Sequence, residues 1–183
     1  MKPLRIAITG HTRGIGASIF TLLTNEGHTV TGYSRTNGFD ISRPEKIAEI
    51  TKLCSHVDVL INNAWQDWAQ IDLLYSVFAE WKSLDRLILN MGSNSGDRTK
   101  NFEHKYATSK TALDEACNQL NHVSGSRCRV VNLRPGWVRT ERIEVLGVTE
   151  PMLAPAEVAK MVQWIIEQPA HLHIPTLTML ARA

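Results

Sequence analysis

Residues 4–16 read LRIAITGHTRGIG, and this stretch decides the fold. Its first six residues are an apolar run that predicts a buried strand, and residues 17–26 have the spacing of a helix. In the loop between them, Gly10 permits a tight turn, Gly14 lets the backbone approach a pyrophosphate, and Gly16 allows close helix–sheet packing. The helix N-terminus adds N–H groups and a positive dipole. This unit predicts a dinucleotide site. A purely structural turn is disfavoured, and so is a triphosphate loop, which needs Gly-Lys-Ser/Thr.

The rest of the chain continues the alternation of strands and helices. Further strands are predicted at residues 28–33, 57–61, 86–90, 129–133 and 174–180, and helices at 42–53, 71–81, 103–121 and 155–168. Near-continuous apolar strands separated by helices indicate a parallel sheet covered on both faces. With right-handed crossovers, the sequence predicts an α/β fold, a doubly wound Rossmann-type sheet of about seven strands. No repeat or linker interrupts the pattern, so we expect one domain over residues 1–183.

Composition and charge narrow the function classes. The chain has 183 residues, 43% hydrophobic and 21% charged, with a net charge of +2. These values exclude a disordered or disulfide-stapled protein, and the charge balance gives no footprint for nucleic acid or a membrane surface. Three cysteines without Cys-x-x-Cys spacing indicate buried free thiols in a reducing compartment. No apolar run approaches ~18 residues and no signal peptide is evident, so we expect a cytoplasmic protein. No metal site is expected.

The end of the second predicted strand indicates which dinucleotide is bound. An acidic residue there would bind the ribose 2′-hydroxyl of NAD, but this chain has Ser34, Arg35 and Thr36. Two hydroxyls and a guanidinium suit a 2′-phosphate, and Arg13 in the glycine loop can approach the same group. The alternative is that both arginines are solvated surface charges. We expect NADP(H) in preference to NAD(H).

Ser93, Tyr106 and Lys110 form a candidate catalytic set. Ser93 follows a predicted strand, at the sheet edge where ligands bind in such folds. Tyr106 and Lys110 are four residues apart on a predicted helix and project from one face. A phenol with a pKa near ~10 is a poor acid or base at neutral pH, and a neighbouring ammonium lowers that pKa. The set fits proton transfer by Tyr106 during hydride exchange between a nicotinamide and a carbonyl or alcohol.

Together these motifs resemble the short-chain dehydrogenase/reductase family, in its compact single-domain branch, over essentially the whole chain. The serine lies thirteen residues before the tyrosine, as in the family. Residues 9–16 resemble the family's cofactor loop, residues 40–41 its adenine-contacting pair, and residues 62–64 its Asn-Asn-Ala-Gly turn. Residues 134–140 resemble its Pro-Gly segment, which holds the nicotinamide carboxamide. Together with Ser34, Arg35 and Thr36, the residues expected to bind the cofactor are Gly10, Thr12, Arg13, Gly14, Ile15, Gly16, Asp40, Ile41, Asn63, Ala64, Tyr106, Lys110, Pro135, Gly136, Val138 and Thr140.

The chain departs from the family pattern in three places. Trp65 stands where the family's turn ends in Gly; it either narrows the cofactor groove or lines the substrate pocket, or it covers core exposed by shortened helices. Asp72 aligns with the family's catalytic Asn, and it either serves a proton relay or is a surface acid in the first turn of a helix. The substrate lid is reduced to about residues 141–154, which excludes less water.

We therefore expect an NADP(H)-dependent oxidoreductase, in which hydride passes between the nicotinamide and a small-molecule carbonyl or alcohol. Tyr106 is the expected acid/base, Lys110 lowers its pKa and holds the nicotinamide ribose, and Ser93 positions the substrate oxygen. The alternative is a dinucleotide-binding sensor or interaction module that keeps the fold without catalysis. Oligomers are usual in the family, and a homodimer is expected here.

Overall fold

A computed structural model describes residues 2–97 and 101–182, and its centre is one parallel sheet. The six strands are β1 (Arg5–Thr9), β2 (Thr29–Tyr33), β3 (Val59–Asn62), β4 (Leu87–Met91), β5 (Arg129–Pro135) and β6 (Thr176–Met179). They lie in the order β2-β1-β3-β4-β5-β6, and every neighbouring pair is parallel. The order reverses at β1, so the β1–β3 crevice is the switch point where doubly wound sheets bind ligands. The predicted Rossmann-type fold is confirmed.

The expected count of about seven strands is wrong, because six strands are present in the described chain. After β5 the described chain adds one strand, β6. Residues 141–154 instead contain a four-residue helix and an isolated bridge between Val138 and Leu153.

Helices cover both faces of the sheet. They are α1 (Gly14–Asn25), α2 (Pro44–Leu53), α3 (Ala69–Trp81), α4 (Lys105–Asn121), α5 (Glu141–Glu144) and α6 (Pro155–Glu167). One apolar cluster joins α2, α3 and α4 to the sheet, and the other joins α1 and α6 to its opposite face. Successive strand residues alternate between the two clusters: Ala7 belongs to the first, and Ile6 and Ile8 to the second. This double burial explains why the strands have near-continuous apolar sequences.

The three cysteines are buried free thiols, as the sequence predicts. Burial raises the pKa of Cys54 and of Cys128 to about 12, and it raises that of Cys117 as well. None of the described helices is both long and apolar enough to cross a bilayer.

The His11 side chain packs against β2, where Gly32 leaves space for it. A Cβ atom at Gly32 would lie 2.3 Å from His11 Cγ, at the root of the ring, so rotation of the ring would not relieve the clash. The other side of the histidine contacts the Phe20 ring, with centroids 5.2 Å apart. The imidazole thus links the glycine loop to β2 and α1.

Gly32→Ala should lower the free energy of unfolding by about 1–3 kcal/mol, because the added methyl group overpacks the site. In a His11→Ala background the same change should cost less than about 0.5 kcal/mol, since the obstacle is gone. Urea unfolding of the four members of this double-mutant cycle measures the coupling. Equal costs in both backgrounds would show that the ring is not the obstacle.

Candidate active site

The glycine loop lies at the carboxyl edge of the sheet and is shaped for close contact. Gly10 and Gly14 have φ angles of 70° and 55°, in the left-handed region. A Cβ at Gly16 would lie 2.0 Å from the carbonyl oxygen of Gly10, so only glycine fits there. Helix α1 starts at Gly14 with no side-chain cap and no acidic residue in its first turn. Its N–H groups and positive dipole therefore remain available for an anion.

Asn63 and Ala64 hold this loop from the end of β3. The Asn63 side-chain amide donates to the carbonyl oxygens of Thr9, at 3.0 Å, and of Gly10, at 3.1 Å. The backbone N–H groups of Asn63 and Ala64 both donate to the hydroxyl of Thr9 at 3.0 Å. Both residues therefore fix the loop, and their predicted contact with the cofactor stays a prediction.

The turn after β2 carries the residues expected to distinguish the two dinucleotides. Ser34 is buried, and its hydroxyl lies 2.8 Å from that of Thr36. The Asn37 side chain accepts from the backbone N–H of Ser34 at 2.8 Å and closes the turn. Arg35 in this turn and Arg13 beside the glycine loop are exposed, and neither forms an ion pair with another described residue. Both guanidinium groups are available to a ligand.

Asp40 and Ile41, the pair expected to contact adenine, stabilise the fold of the chain itself. Ile41 is buried in the core, and the Asp40 carboxylate accepts from the backbone N–H of Ser42 at 3.0 Å. That hydrogen bonding lowers the pKa of Asp40, with a smaller contribution from the charge of Arg35. Asp40 is therefore ionised at neutral pH, and its contact with adenine stays a prediction.

The Pro-Gly segment reaches the glycine loop from β5. The Gly136 N–H donates to the carbonyl oxygen of Met179 at 2.8 Å, which fixes the chain after Pro135. Val138 is buried, and Thr140 faces the glycine loop, with its methyl carbon 3.2 Å from the position of a Cβ on Gly14. The Pro-Gly segment and the glycine loop therefore meet in this structure.

The structure brings Ser93, Tyr106 and Lys110 together at the same edge. Ser93 follows β4, is buried, and accepts from the backbone N–H of Ser95 at 3.1 Å. Tyr106 and Lys110 lie on α4, and the Lys110 nitrogen is 5.5 Å from the centre of the Tyr106 ring. The grouping predicted from sequence spacing is present.

Gln70 is a site residue that the sequence reasoning missed. It is 2% exposed, and its side-chain oxygen accepts from the Lys110 ammonium at 2.7 Å. The ammonium donates equally closely to the carbonyl oxygen of Met91. The amide nitrogen of Gln70 in turn donates to the Asn62 carbonyl oxygen at 2.7 Å. The only signal in the sequence is one amide among apolar residues at the start of a predicted helix.

Asp72 does not join this group. It is exposed in the first turn of α3, where an acidic side chain is stabilised by the helix dipole, and Gln70 reaches Lys110 from the same helix. The position agrees with the alternative of a surface acid. The relay role of Asp72 stays a prediction without a supporting contact.

Burial sets the protonation of the tyrosine and the lysine. It raises the pKa of Tyr106, against smaller opposite effects of Ser93, which faces the phenol, and of the Arg142 charge. Burial lowers the pKa of Lys110 to about 7, although Asp114 acts the other way. The expectation that Lys110 is the charge that lowers the phenol pKa therefore does not fit this geometry: the ammonium points at Gln70 and Met91. The phenol is the protonated, acidic form at neutral pH.

Trp65 lines this site. Its ring meets the Tyr106 ring edge to face, with centroids 5.1 Å apart, and its indole N–H donates to the Ser109 hydroxyl at 2.9 Å. The Arg142 guanidinium, on α5, lies 5.0 Å from the Trp65 ring centre and 5.7 Å from that of Tyr106. Of the two sequence interpretations, the structure supports the one that puts Trp65 at the site.

A cavity of about 700 Å³ lies elsewhere, between α2 and α3. Thr51, Lys52, Ser76 and Glu80 are among its lining residues, and none of them belongs to the motifs. It lies near the amino-terminal ends of β3 and β4, whereas doubly wound sheets bind ligands at the carboxyl ends. The candidate active site is therefore the groove between the glycine loop and Tyr106.

Comparison with known proteins gives relatives of one kind. No family model matches the chain. The human protein "dehydrogenase/reductase SDR family member 11" is 26% identical over 94% of this chain and 92% of its own length, and farnesol dehydrogenase of Aedes aegypti is 24% identical over 94% and 93%. The predicted resemblance to short-chain dehydrogenases/reductases is confirmed. The alignment with the human protein spans 238 positions against 183 residues here, so that relative has segments that this chain lacks.

Solved structures of short-chain dehydrogenases share the fold. The closed form of serine dehydrogenase complexed with NADP⁺ superposes with a TM-score of 0.80 at 20% identity, covering 96% of this chain and 94% of its own. A short-chain dehydrogenase from Burkholderia cenocepacia in complex with NADP gives 0.83 at 20% identity, with 96% and 87% covered. A 3-alpha-hydroxysteroid dehydrogenase from a Pseudomonas species, complexed with NADH, gives 0.78 at 22% identity, with 96% and 94% covered. The neighbours thus include complexes with either nicotinamide dinucleotide.

Lys110 should make the free energy of unfolding rise with pH above about 7. Its pKa is about 7 in the folded chain and starts from 10.5, so above pH 7 the unfolded chain holds a proton that the folded chain has released. Stability rises with pH wherever the unfolded state binds more protons. Urea unfolding from pH 7 to about 8.5 gives the free energy of unfolding of the native chain and of Lys110→Met, and the difference between these two free energies should grow with pH. The range stops near the ordinary pKa of cysteine, so that titration of thiols in the unfolded chain does not add to the effect.

The matched control is Lys160→Met, since Lys160 is an exposed lysine on α6. The difference in free energy of unfolding between Lys160→Met and the native chain should not change with pH. A pH-independent difference for Lys110→Met would contradict the lowered pKa of Lys110.

Proposed function

We propose that this chain is an NADP(H)-dependent oxidoreductase that reduces a small-molecule carbonyl or oxidises the corresponding alcohol. The observation that carries the proposal is the grouping of Ser93, Tyr106 and Lys110 at the carboxyl edge of the sheet, the edge that also carries the glycine loop. The names of the relatives, all of them dehydrogenases or oxidoreductases, support the same reaction type.

The residues present suit a nicotinamide dinucleotide. A Cβ at Gly16 would fill the space against the backbone of Gly10, and α1 offers uncapped N–H groups to a pyrophosphate. Thr140 closes the groove opposite Gly14. In this proposal the bound cofactor supplies or accepts the hydride, while Asp40, Ile41 and the Pro-Gly segment hold its two ends.

Each catalytic residue has a role that follows from its surroundings. Tyr106 is protonated at neutral pH, as an ordinary phenol is, and its proton can pass to a carbonyl oxygen as that oxygen gains charge. Ser93, which faces the phenol, holds the same oxygen by a hydrogen bond. Lys110 is fixed by Gln70 and Met91, and we assign to it the cofactor ribose.

Arg13 and Arg35 supply the proposed preference for NADP(H). Both are exposed, and no described carboxylate pairs with either. A 2′-phosphate would supply the negatively charged partner that both arginines lack among the described residues, and arginine binds phosphate by paired hydrogen bonds. The hydroxyls of Ser34 and Thr36 already hold each other, so we assign most of the discrimination to the arginines.

The second candidate is a dinucleotide-binding sensor without catalysis. It is favoured by the Trp65 ring, which lies against Tyr106 in the substrate space, and by the short segment over residues 141–154. We regard that segment as a reduced lid on a single domain and propose a homodimer as the assembly. An enzyme oxidises NADPH in the presence of a carbonyl panel, whereas a sensor binds NADPH and oxidises none.

Tyr106→Phe should lower turnover at least ~100-fold, because proton transfer by a positioned side chain contributes about that much or more. Binding of NADPH should stay nearly intact, since the ring and its packing on Trp65 remain. Tyr75→Phe is the matched control: Tyr75 is exposed on α3 and its hydroxyl donates to Gln119. Full activity of Tyr106→Phe on a working substrate would overturn the mechanism.

Arg13→Gln and Arg35→Gln should each weaken NADPH binding about tenfold or more, as expected for lost charge-assisted hydrogen bonds. Their affinity for NADH should be unchanged. Titration of tryptophan fluorescence with each dinucleotide measures both constants. Arg127→Gln is the control, because it removes an equal charge at the opposite edge of the sheet, where Arg127 pairs with Asp85. Preference of the native chain for NADH would overturn the cofactor assignment and leave the reaction type standing.

A further inference from the structure

The Arg142 side chain has an unusual position in the site. Its guanidinium lies over the rings of both Trp65 and Tyr106, at 5.0 and 5.7 Å from their centres. Trp65 meets Tyr106 edge to face and is fixed by its hydrogen bond to Ser109. Two anchored aromatic rings therefore hold one flexible cation beside the proposed proton donor.

Stacking leaves the hydrogen-bonding capacity of Arg142 free. A guanidinium uses its flat face against an aromatic ring and keeps its five N–H donors in the plane. Arg142 pairs with no carboxylate among the described residues. A planar fork of this kind matches the two oxygens of a carboxylate.

The acidic neighbours of Arg142 on α5, Glu141 and Glu144, form no ion pair with it in the described structure. The charge of Arg142 lowers the pKa of both Tyr106 and Lys110, so it acts on both groups without neutralisation. Asp114 is the acidic side chain that influences Lys110, and it is occupied by Asn132, at 2.6 Å, and by Arg134, at 3.2 Å. An anion at this edge of the sheet would therefore meet the Arg142 guanidinium, while Asp114 is held by its own partners.

We propose that Arg142 binds a carboxylate of the substrate, so that the substrate class is a short oxo- or hydroxycarboxylic acid. The carboxylate lies within a few carbons of the reacting carbon, because the guanidinium and the Tyr106 ring are neighbours. The inference rests on the proposed function and deepens it. Trp65 then positions Arg142 and takes no part in the proton transfer.

A dinucleotide phosphate is the competing occupant, since Arg142 follows Thr140 of the Pro-Gly segment by two residues. The position of the guanidinium favours the carboxylate, because the guanidinium lies over the Trp65 and Tyr106 rings, beside the proposed proton donor. Arg142→Gln distinguishes the two occupants: it lowers the affinity for NADP⁺ if Arg142 binds a dinucleotide phosphate, and leaves that affinity unchanged if Arg142 binds a substrate carboxylate.

The binding test uses butyrate and its uncharged match, butyramide, at constant ionic strength. Each is titrated into the chain, with and without saturating NADP⁺, and tryptophan fluorescence reports binding because Trp65 lies under the guanidinium. We expect butyrate to bind more tightly than butyramide. Arg142→Gln should weaken butyrate about ten- to hundredfold, as for a lost charge-assisted pair, and leave NADP⁺ affinity unchanged. Arg142→Lys should restore part of the loss, and Arg127→Gln should match the native chain.

The activity test compares oxo acids with their methyl esters as substrates of NADPH oxidation. Arg142→Gln should raise the KM for the acids about ten- to hundredfold, whereas the KM for the esters should change far less; any effect on kcat through Tyr106 should be the same for acids and esters. Equal binding of butyrate and butyramide would overturn the inference, as would an Arg142→Gln variant that binds butyrate normally or loses NADP⁺ instead. If NADP⁺ binds and butyrate does not, the inference fails alone. If butyrate binds through Arg142 and no dinucleotide binds, the proposed function fails alone.

Discussion

A buried ammonium group organises the centre of this molecule. Lys110 is 2% exposed, and an unpaired charge at that depth would cost several kcal/mol, so its donors need oxygens at fixed places. Met91 at the end of β4 and Gln70 at the start of α3 provide them, and Gln70 is itself held by the end of β3. Through the Lys110 nitrogen, helix α4 is joined to the end of β4 and to helix α3. Through Gln70, it is joined further to the end of β3. The geometry of the candidate site follows from satisfying that group.

The sequence predicted the parts of the fold that depend on local pattern. The glycine loop, the positions of all six strands and the joint position of Ser93, Tyr106 and Lys110 follow from periodicity and spacing, which short-range rules govern. Gln70 and Arg142 could not be found that way. Gln70 contacts Lys110 and Arg142 contacts Trp65, and each partner is about 40 residues or more away along the chain. The residues that flank Gln70 and Arg142 in the sequence form no motif that would single them out. Asp72 illustrates the converse, because alignment by motif gave its position in the helix but not the direction of its side chain.

The short segment after β5 and the presence of Trp65 are connected. The human relative has segments that this chain lacks, and we have proposed that residues 141–154 form a reduced lid; such a lid excludes less water from a site. Here an indole fixed by Ser109 and a guanidinium above it occupy part of the space beside Tyr106. Large rigid rings can bury a phenol without a long loop. The contact with Trp65 contributes to the partial burial of Tyr106, and burial raises the pKa of the phenol.

The burial of the three thiols affects how the protein reacts with oxidants and alkylating reagents. The thiolate is the form that oxidants and alkylating reagents attack, and with a pKa of about 12 only about one Cys54 or Cys128 side chain in 100,000 is ionised at neutral pH. The folded chain is therefore inert towards such reagents, and it becomes reactive only during the moments when its core opens. The rate of alkylation is then a clock for that opening, read without adding any label to the protein.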